Sequence, residues 1–316
     1  MSCNMCYVHL TPQQIPAVGR ELSAAEWIEI ARQARDAGML ELTLTGGEPL
    51  AKPDFREIYE VLSEMGFFIQ LYTNGYGLDQ DTFNWLMERP PHYMRFTMYG
   101  ASDETYERVC GVKNGFTRVS RAIEMVREAG IPTYMVTTIT RENEQDFPQI
   151  AEFARTHKLP FTYTTNLIKP VRGAAADVEK LQIQRPFPTE EELAELRRPE
   201  NLVKPHKRYE NLLEVCGNYR KGFWITWDGK MRLCTFLTEP AEPVLEYGFE
   251  KSWAKLLEDV EKLKQPDECL DCKYEGYCKR CYGELYAANG RCDVVDKSCC
   301  ERAKQLYEIY APFHKE

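Results

Sequence analysis

Long apolar runs are missing from this chain of 316 residues. No stretch reaches the roughly 18 apolar residues that a membrane-spanning helix needs. The first residues also lack a basic segment followed by an apolar one, so nothing supports a secretory signal. Basic charge is in deficit, with 40 Lys+Arg against 49 Asp+Glu and a formal charge of -9. No broad positive field exists to hold a nucleic acid backbone. Histidine is scarce: the five residues, His9, His92, His157, His206 and His314, show no metal-ligand spacing. Internal repeats and low-complexity tracts are absent. These absences leave neither a membrane nor a nucleic acid as partner, and point to a cytoplasmic location.

Cysteine, by contrast, is plentiful. The chain has twelve, and a reducing compartment keeps so many thiols free for metal or redox chemistry rather than for disulfides. They are unevenly spread: Cys3 and Cys6 open the chain, Cys110 stands alone, and nine lie between Cys216 and Cys300.

From about Ser23 to Asn166 the pattern alternates between helix and strand. A capping box, Ser23 with Glu26, starts a helix that carries Trp27, Ile28, Ile30 and Ala31 and ends at Gly38. Strands then read as LELTLT, FFIQLYT, YMRFTMY, PTYMVTTIT and PFTYTTNLI, separated by helical segments. Such alternation predicts right-handed crossovers and a parallel sheet, closed or partly closed as a barrel. Sites in such sheets form in the loops after the strands. Here those loops hold Gly46-Gly47-Glu48-Pro49, Asn74-Gly75, Gly100 and Pro170-Val171-Arg172-Gly173. The stretch from Lys169 to about Val215, rich in charge and proline, reads as a connector with one short helix.

The most specific signal lies near the C-terminus. CLDCKYEGYCKRC places Cys269, Cys272, Cys278 and Cys281 as two CxxC pairs separated by five residues, a spacing at which a turn can aim paired thiolates at one metal centre. Upstream, Cys216 and Cys234 flank FWITW and MRL, which Asp228-Gly229 joins as a hairpin. The aromatic residues of FWITW read as hairpin core rather than as a stacking platform. A structural zinc ribbon accounts for the CxxC pairs alone; nine cysteines exceed what one zinc uses and suit two metal centres or a pair of iron-sulfur clusters better.

Taken together, the N-terminal SCNMC, the GGEP loop and the C-terminal cysteine array closely resemble the radical SAM superfamily with a C-terminal SPASM extension. The likeness covers nearly the whole chain. Cys3-Asn4-Met5-Cys6-Tyr7 matches the second half of the family's CxxxCxxC, and Gly46-Gly47-Glu48-Pro49 its GGEP. Cys216, Gly229, Cys234, Cys269, Cys272, Cys278, Cys281 and Cys300 follow the SPASM pattern. Three departures stand out. The leading cysteine of CxxxCxxC would fall at position -1, so the expectation is a truncated chain or a mis-assigned start, which as given would hold its auxiliary clusters yet fail to cleave S-adenosylmethionine. Two residues, rather than the commoner three, separate Cys278 and Cys281. Thr97 and Tyr99 stand where many relatives carry Ser and Asp, with Thr97 the better ribose contact.

The resemblance implies a partial (β/α)6 TIM-like barrel over residues 1–170, its first strand missing, then a connector over 171–215 and a cysteine-rich SPASM domain with a C-terminal helix over 216–316. It implies a [4Fe-4S] cluster on Cys3, Cys6 and a third thiolate, whose open iron chelates S-adenosylmethionine. One electron then splits that molecule into methionine and a 5'-deoxyadenosyl radical that abstracts hydrogen from substrate. S-adenosylmethionine would meet Met5, Gly46, Gly47, Glu48, Asn74, Thr97 and Arg172. One auxiliary cluster would use Cys216, Cys234 and Cys281, with Cys292 or an open iron completing it; the other would use Cys269, Cys272, Cys278 and Cys300, the last preferred to Cys299. A peptide or protein substrate of the kind met in ribosomal-peptide or sulfatase maturation is expected, with flavodoxin or ferredoxin as electron donor. The alternatives are a small-molecule tailoring enzyme of the same superfamily and a non-catalytic zinc or iron-sulfur protein. Cys110 reads as a buried or loop thiol.

Overall fold

The computed structural model describes residues 1–7, 20–165, 167, 177–183 and 203–314. Arg172 and most of the expected connector lie outside the described residues. The chain forms two compact units: Met1–Ile183 with Thr226–Gly229 and Pro243–Lys251, and Gln184–Ile225 with Lys230–Glu242 and Ser252–Glu316.

The first unit is built on five parallel strands, β1 (Glu41–Leu44), β2 (Phe68–Thr73), β3 (Tyr93–Thr97), β4 (Thr133–Thr138) and β5 (Phe161–Thr164), paired in chain order. Helices α1 (Ala24–Asp36), α2 (Phe55–Glu64), α3 (Gln80–Glu88), α4 (Asp103–Cys110), α5 (Gly115–Glu128) and α6 (Phe147–Thr156) precede or link them. The βα order and the absence of strand reversal give the partial TIM-like barrel that the sequence predicts.

Strands β1 to β4 alternate between more and less exposed positions. Ile69, Leu71, Met94, Phe96 and Met135 are buried against apolar faces of the helices, among them Ile58 and Leu62 of α2 and Val119, Ile123 and Val126 of α5. Residues one step away, Gln70, Tyr72, Tyr93, Arg95 and Tyr134, lie on the opposite face and stay partly exposed or exposed. The helices therefore cover one face and leave a polar, aromatic inner face, unlike an open parallel sheet covered on both sides.

Helix α1 begins with the predicted reciprocal capping box of Ser23 and Glu26. Helix α4 was not legible as a separate element. It is eight residues long, Ser102 accepts from Thr105 N at its start, and Gly111 ends it at φ 66°. Cys110 is its last residue and is fully buried.

The second unit contains an antiparallel ribbon, β6 (Trp224–Ile225) with β7 (Lys230–Arg232), the register pairing Trp224 with Arg232 and Ile225 with Met231. It also holds helices Tyr282–Asn289 and Lys297–Tyr310, and short turns at Asp267–Cys269 and Glu275–Tyr277. Tyr277 stacks on Tyr310 with ring centroids 6.5 Å apart. No helix among the described residues is long and apolar enough to cross a membrane.

Candidate active site

Glu48, in the loop after β1, is the organising residue at the C-terminal ends of the strands. Its carboxylate accepts from Thr73 Oγ1 at 2.7 Å, from Asn74 N at 2.7 Å and from Leu50 N at 3.1 Å. Desolvation outweighs these donors and pushes its pKa up. Thr73 Oγ1 accepts in turn from Gly75 N, and Asn74 Oδ1 from Tyr76 N at 2.9 Å, so the β2 loop is wound around the Glu48 carboxylate. Gly46 adopts φ 148°, a conformation that favours glycine, and a Cβ at Gly46 or Gly47 would meet nothing within 4 Å among the described residues. Open space beside both glycines leaves room for a ligand against bare backbone.

The loop Ser2–Cys6 is pinned to the end of α4. Ser2 N donates to Cys110 O at 2.9 Å and Asn4 N to Val109 O at 2.9 Å; the Asn4 side chain donates to Arg108 O and to Glu142 Oε2. These bonds bring the Cys3 thiol close enough to interact with the Cys110 thiol and the Tyr99 hydroxyl. The Cys110 contact lowers the Cys3 pKa against the opposing effect of burial; the same contact and burial raise that of Cys110. Met5 is buried in the barrel core, and Cys6 is partly exposed. Asn143 ties neighbouring strand ends together, donating to Tyr99 O at 2.9 Å and Thr138 O at 3.0 Å while accepting from Thr140 N. Sequence reasoning missed Asn143, Thr73 and the Cys110 contact; none has a local signature, because each acts across elements far apart in the chain.

Thr97 sits at the end of β3 and Asn74 just past β2, in adjacent strands. Behind them on the inner face, Tyr93 donates to Gln70, the Tyr72 and Tyr93 hydroxyls are 3.3 Å apart, and the Arg95 guanidinium lies 5.3 Å from the Tyr72 ring centroid. Arg95 also donates to Thr162 Oγ1 at 3.2 Å, and no carboxylate pairs with it among the described residues.

In the second unit the thiols fall into two groups. Cys269, Cys272, Cys278, Cys299 and Cys300 line one recess, with Arg280, Asp296 and Ala303. Cys300 lies within electrostatic reach of Cys278 and Cys272, and Cys269 of Cys278, Cys300 and Cys272. Cys299 is engaged otherwise: its Sγ donates to Asp296 Oδ2 at 3.2 Å and accepts from Arg302 at 3.0 Å. The other group is Cys216, Cys234, Cys281 and Cys292. Burial pushes Cys269 and Cys281 up to about 11 and Cys292 up to about 12. Burial and like neighbours disfavour the thiolate form, and the Arg280 guanidinium opposes this at Cys269. Among the described residues no three His, Cys, Asp or Glu side chains converge tightly enough for a single metal ion.

A βα half-barrel with a thiol pair and a glycine-glutamate clasp at its strand ends, followed by a cysteine-rich unit, is the class that fold and site define. The family model described as the radical SAM superfamily matches residues 1–154, just under half of the chain, and those residues form a radical SAM domain. The AdoMet-dependent heme synthase of Methanosarcina barkeri is 26% identical across 99% of this chain and 95% of its own length. The PqqA peptide cyclase of Rhizobium meliloti is 30% identical, over 49% of this chain and 40% of its own length. The chain thus spans less than half of that cyclase. Among solved structures, Streptococcus suis SuiB bound to precursor peptide SuiA superposes with a TM-score of 0.67 at 17% identity, covering 95% of this chain and 73% of SuiB. The anSMEcpe structure with bound AdoMet gives 0.66 at 17% identity, covering 99% and 94%. At such identity these two likenesses show the fold.

Proposed function

We propose that this chain is a radical SAM enzyme that abstracts hydrogen from a peptide or protein side chain, with two auxiliary [4Fe-4S] clusters in its second unit. The observation that carries the reading is the joining of Glu48, Thr73 and Asn74 into one clasp beside open glycine backbone, on the same barrel as the Cys3 and Cys6 loop. A reduced cluster with bound S-adenosylmethionine supplies a 5'-deoxyadenosyl radical. The chain's own contribution is position. Cys3 and Cys6 would hold the cluster; Gly46 and Gly47 would let the methionine moiety lie against backbone, with Glu48 beside its ammonium and Asn74 and Thr97 near the ribose. Arg172 is proposed for the same ligand and lies outside the described residues. Cys269, Cys272, Cys278 and Cys300 would hold one auxiliary cluster; Cys216, Cys234 and Cys281 would bind the other.

Gln70, Tyr72, Tyr93 and Arg95 give the inner face amide, hydroxyl and guanidinium groups suited to a peptide's carbonyls and carboxylates. The peptide-acting proteins among the relatives support the same substrate class. A small-molecule substrate is the second reading, favoured by the end-to-end match to the heme synthase. Deuterium transfer separates them. The anaerobic gene product, reduced by dithionite, is given S-adenosylmethionine and an extract of cells grown on deuterated medium. Under the peptide reading, deuterium enters 5'-deoxyadenosine, and protease treatment of the extract abolishes the transfer. Transfer from the protease-treated, low-mass fraction establishes the second reading. A flavodoxin- or ferredoxin-type protein is proposed as the electron donor in place of dithionite.

A further inference from the structure

We propose that Cys292 is the fourth thiolate of the cluster held by Cys216, Cys234 and Cys281, so that this cluster is closed by the chain's own sulfur. The proposal rests on the reading of two auxiliary clusters given above and adds to it the coordination state of one of them.

The local geometry starts at Cys281, the N-cap of helix Tyr282–Asn289, whose Sγ accepts from Glu284 N at 3.4 Å. Gly290 ends that eight-residue helix at φ 71° and reverses the chain. The returning segment brings Cys292 back to the start of the helix: its Sγ donates to Tyr282 O at 3.6 Å, and the residue is only 4% exposed. Tyr282 stands between Cys281 and Gly283. A Cβ on Gly283 would lie 3.0 Å from Cys234 Sγ and 3.8 Å from Cys281 Sγ. With Phe236 Cβ at 3.3 Å from the same position, the missing side chain lets the Cys234 and Cys281 thiols pack close against bare backbone, beside the carbonyl that anchors Cys292.

The chemistry of the donor set agrees. The side-chain charges that act most on Cys292 are Asp293, Cys281 and Cys234, and Cys234 is in turn acted on by Cys216. Four thiols gathered in one place match the sulfur donor set that an iron-sulfur cluster takes. On ligation each thiol releases its proton to solvent as its sulfur bonds iron. Cys299, the other C-terminal thiol left outside the family pattern, is held by Asp296 and Arg302 and lines the recess of Cys269, Cys272, Cys278 and Cys300. A cluster with four cysteine ligands has no open iron for substrate, which makes it an electron relay.

The test uses the full chain carrying Cys3→Ala and Cys6→Ala, purified anaerobically, so that only the C-terminal clusters contribute. Iron, labile sulfide and the electron paramagnetic resonance spectrum of the reduced protein are measured with and without cyanide, a small ligand for open iron. The parent is expected to hold about eight irons, with a spectrum that cyanide leaves unchanged. Cys292→Ala should lose up to half of that iron or acquire a cyanide-dependent spectrum. Cys292→Ser, which keeps an oxygen donor and the packing, should retain iron with shifted g-values. Cys299→Ala should match the parent. The proposal is overturned if both Cys292 variants keep the parent spectrum and ignore cyanide while Cys234→Ala does not. It is overturned as well if cyanide already shifts the parent. A parent without labile sulfide removes the two-cluster reading itself, and this proposal with it.

Discussion

The Thr73 hydroxyl donates to the Glu48 carboxylate at 2.7 Å, tying the end of β2 to the loop after β1. Because Glu48 also accepts from Asn74 N and Leu50 N, its two oxygens act only as acceptors. Glu48→Gln turns one of them into an NH2 group that faces donors. The expected cost is about 1–3 kcal/mol of stability, read from urea unfolding. Thr73→Val should lower stability in the same direction by about 1 kcal/mol.

Two glycines of the same site separate backbone cost from packing cost. Gly75 has φ 72°, and a Cβ there would lie 2.9 Å from the Phe96 ring. Gly75→Ala combines a left-handed alanine with overpacking, for an expected loss of about 2–4 kcal/mol. Gly46 has φ 148° with open space around its Cβ position. Gly46→Ala should cost about 1–2 kcal/mol, from the backbone alone. Thermal unfolding of the two variants side by side measures the difference.

The contact between the Cys3 and Cys110 thiols, held by the backbone bonds of Ser2 and Asn4 to the end of α4, predicts a specific oxidation product. In cluster-free protein treated with hydrogen peroxide, the two thiols give up two electrons and two protons, forming a disulfide as the peroxide becomes water. Mass spectrometry of unreduced peptides should find Cys3 linked to Cys110 and not to Cys6. Cys110→Ala should abolish the product.

Asp259 carries a pH prediction for the second unit. Its carboxylate is hydrogen-bonded first by Lys255 and then by Lys262, which hold its pKa at about 2 against an ordinary 3.8. A depressed folded-state pKa contributes stability that is present above about pH 4 and lost as pH falls through about 2. The ammonium groups are well exposed, so after screening the effect is expected to stay within about 1 kcal/mol. Asp259→Asn should flatten acid unfolding across that window and leave neutral-pH stability slightly lower.

The parts of this molecule that were legible in the sequence are those with short-range signatures. The capping box of Ser23 and Glu26, the alternation of β2 and β3, and the GGEP loop are each set by residues within a few positions of one another. Helix α4 escaped because its eight residues fall short of the roughly 11-residue window over which a helical period is read. Cys110 is 107 residues from Cys3, and Asn143 reaches Tyr99 over 44 residues, so only the fold brings them together. The cysteine count raised the question of Cys292, but spacing could not answer it. The chain reversal at Gly290 and the bare backbone of Gly283 give the structural grounds for assigning it.

Formation of 5'-deoxyadenosine tests the central claim most directly. The anaerobically isolated gene product, with iron and sulfide quantified, is mixed with S-adenosylmethionine and dithionite, and the nucleoside is followed by chromatography. The account predicts its formation together with methionine from protein that carries the third cluster thiolate beside Cys3 and Cys6, failure of cleavage without that thiolate, and loss of both products in Cys6→Ala. Protein with all three thiolates, fully loaded with iron and sulfide, that forms none, or protein that carries zinc without sulfide, would contradict the account.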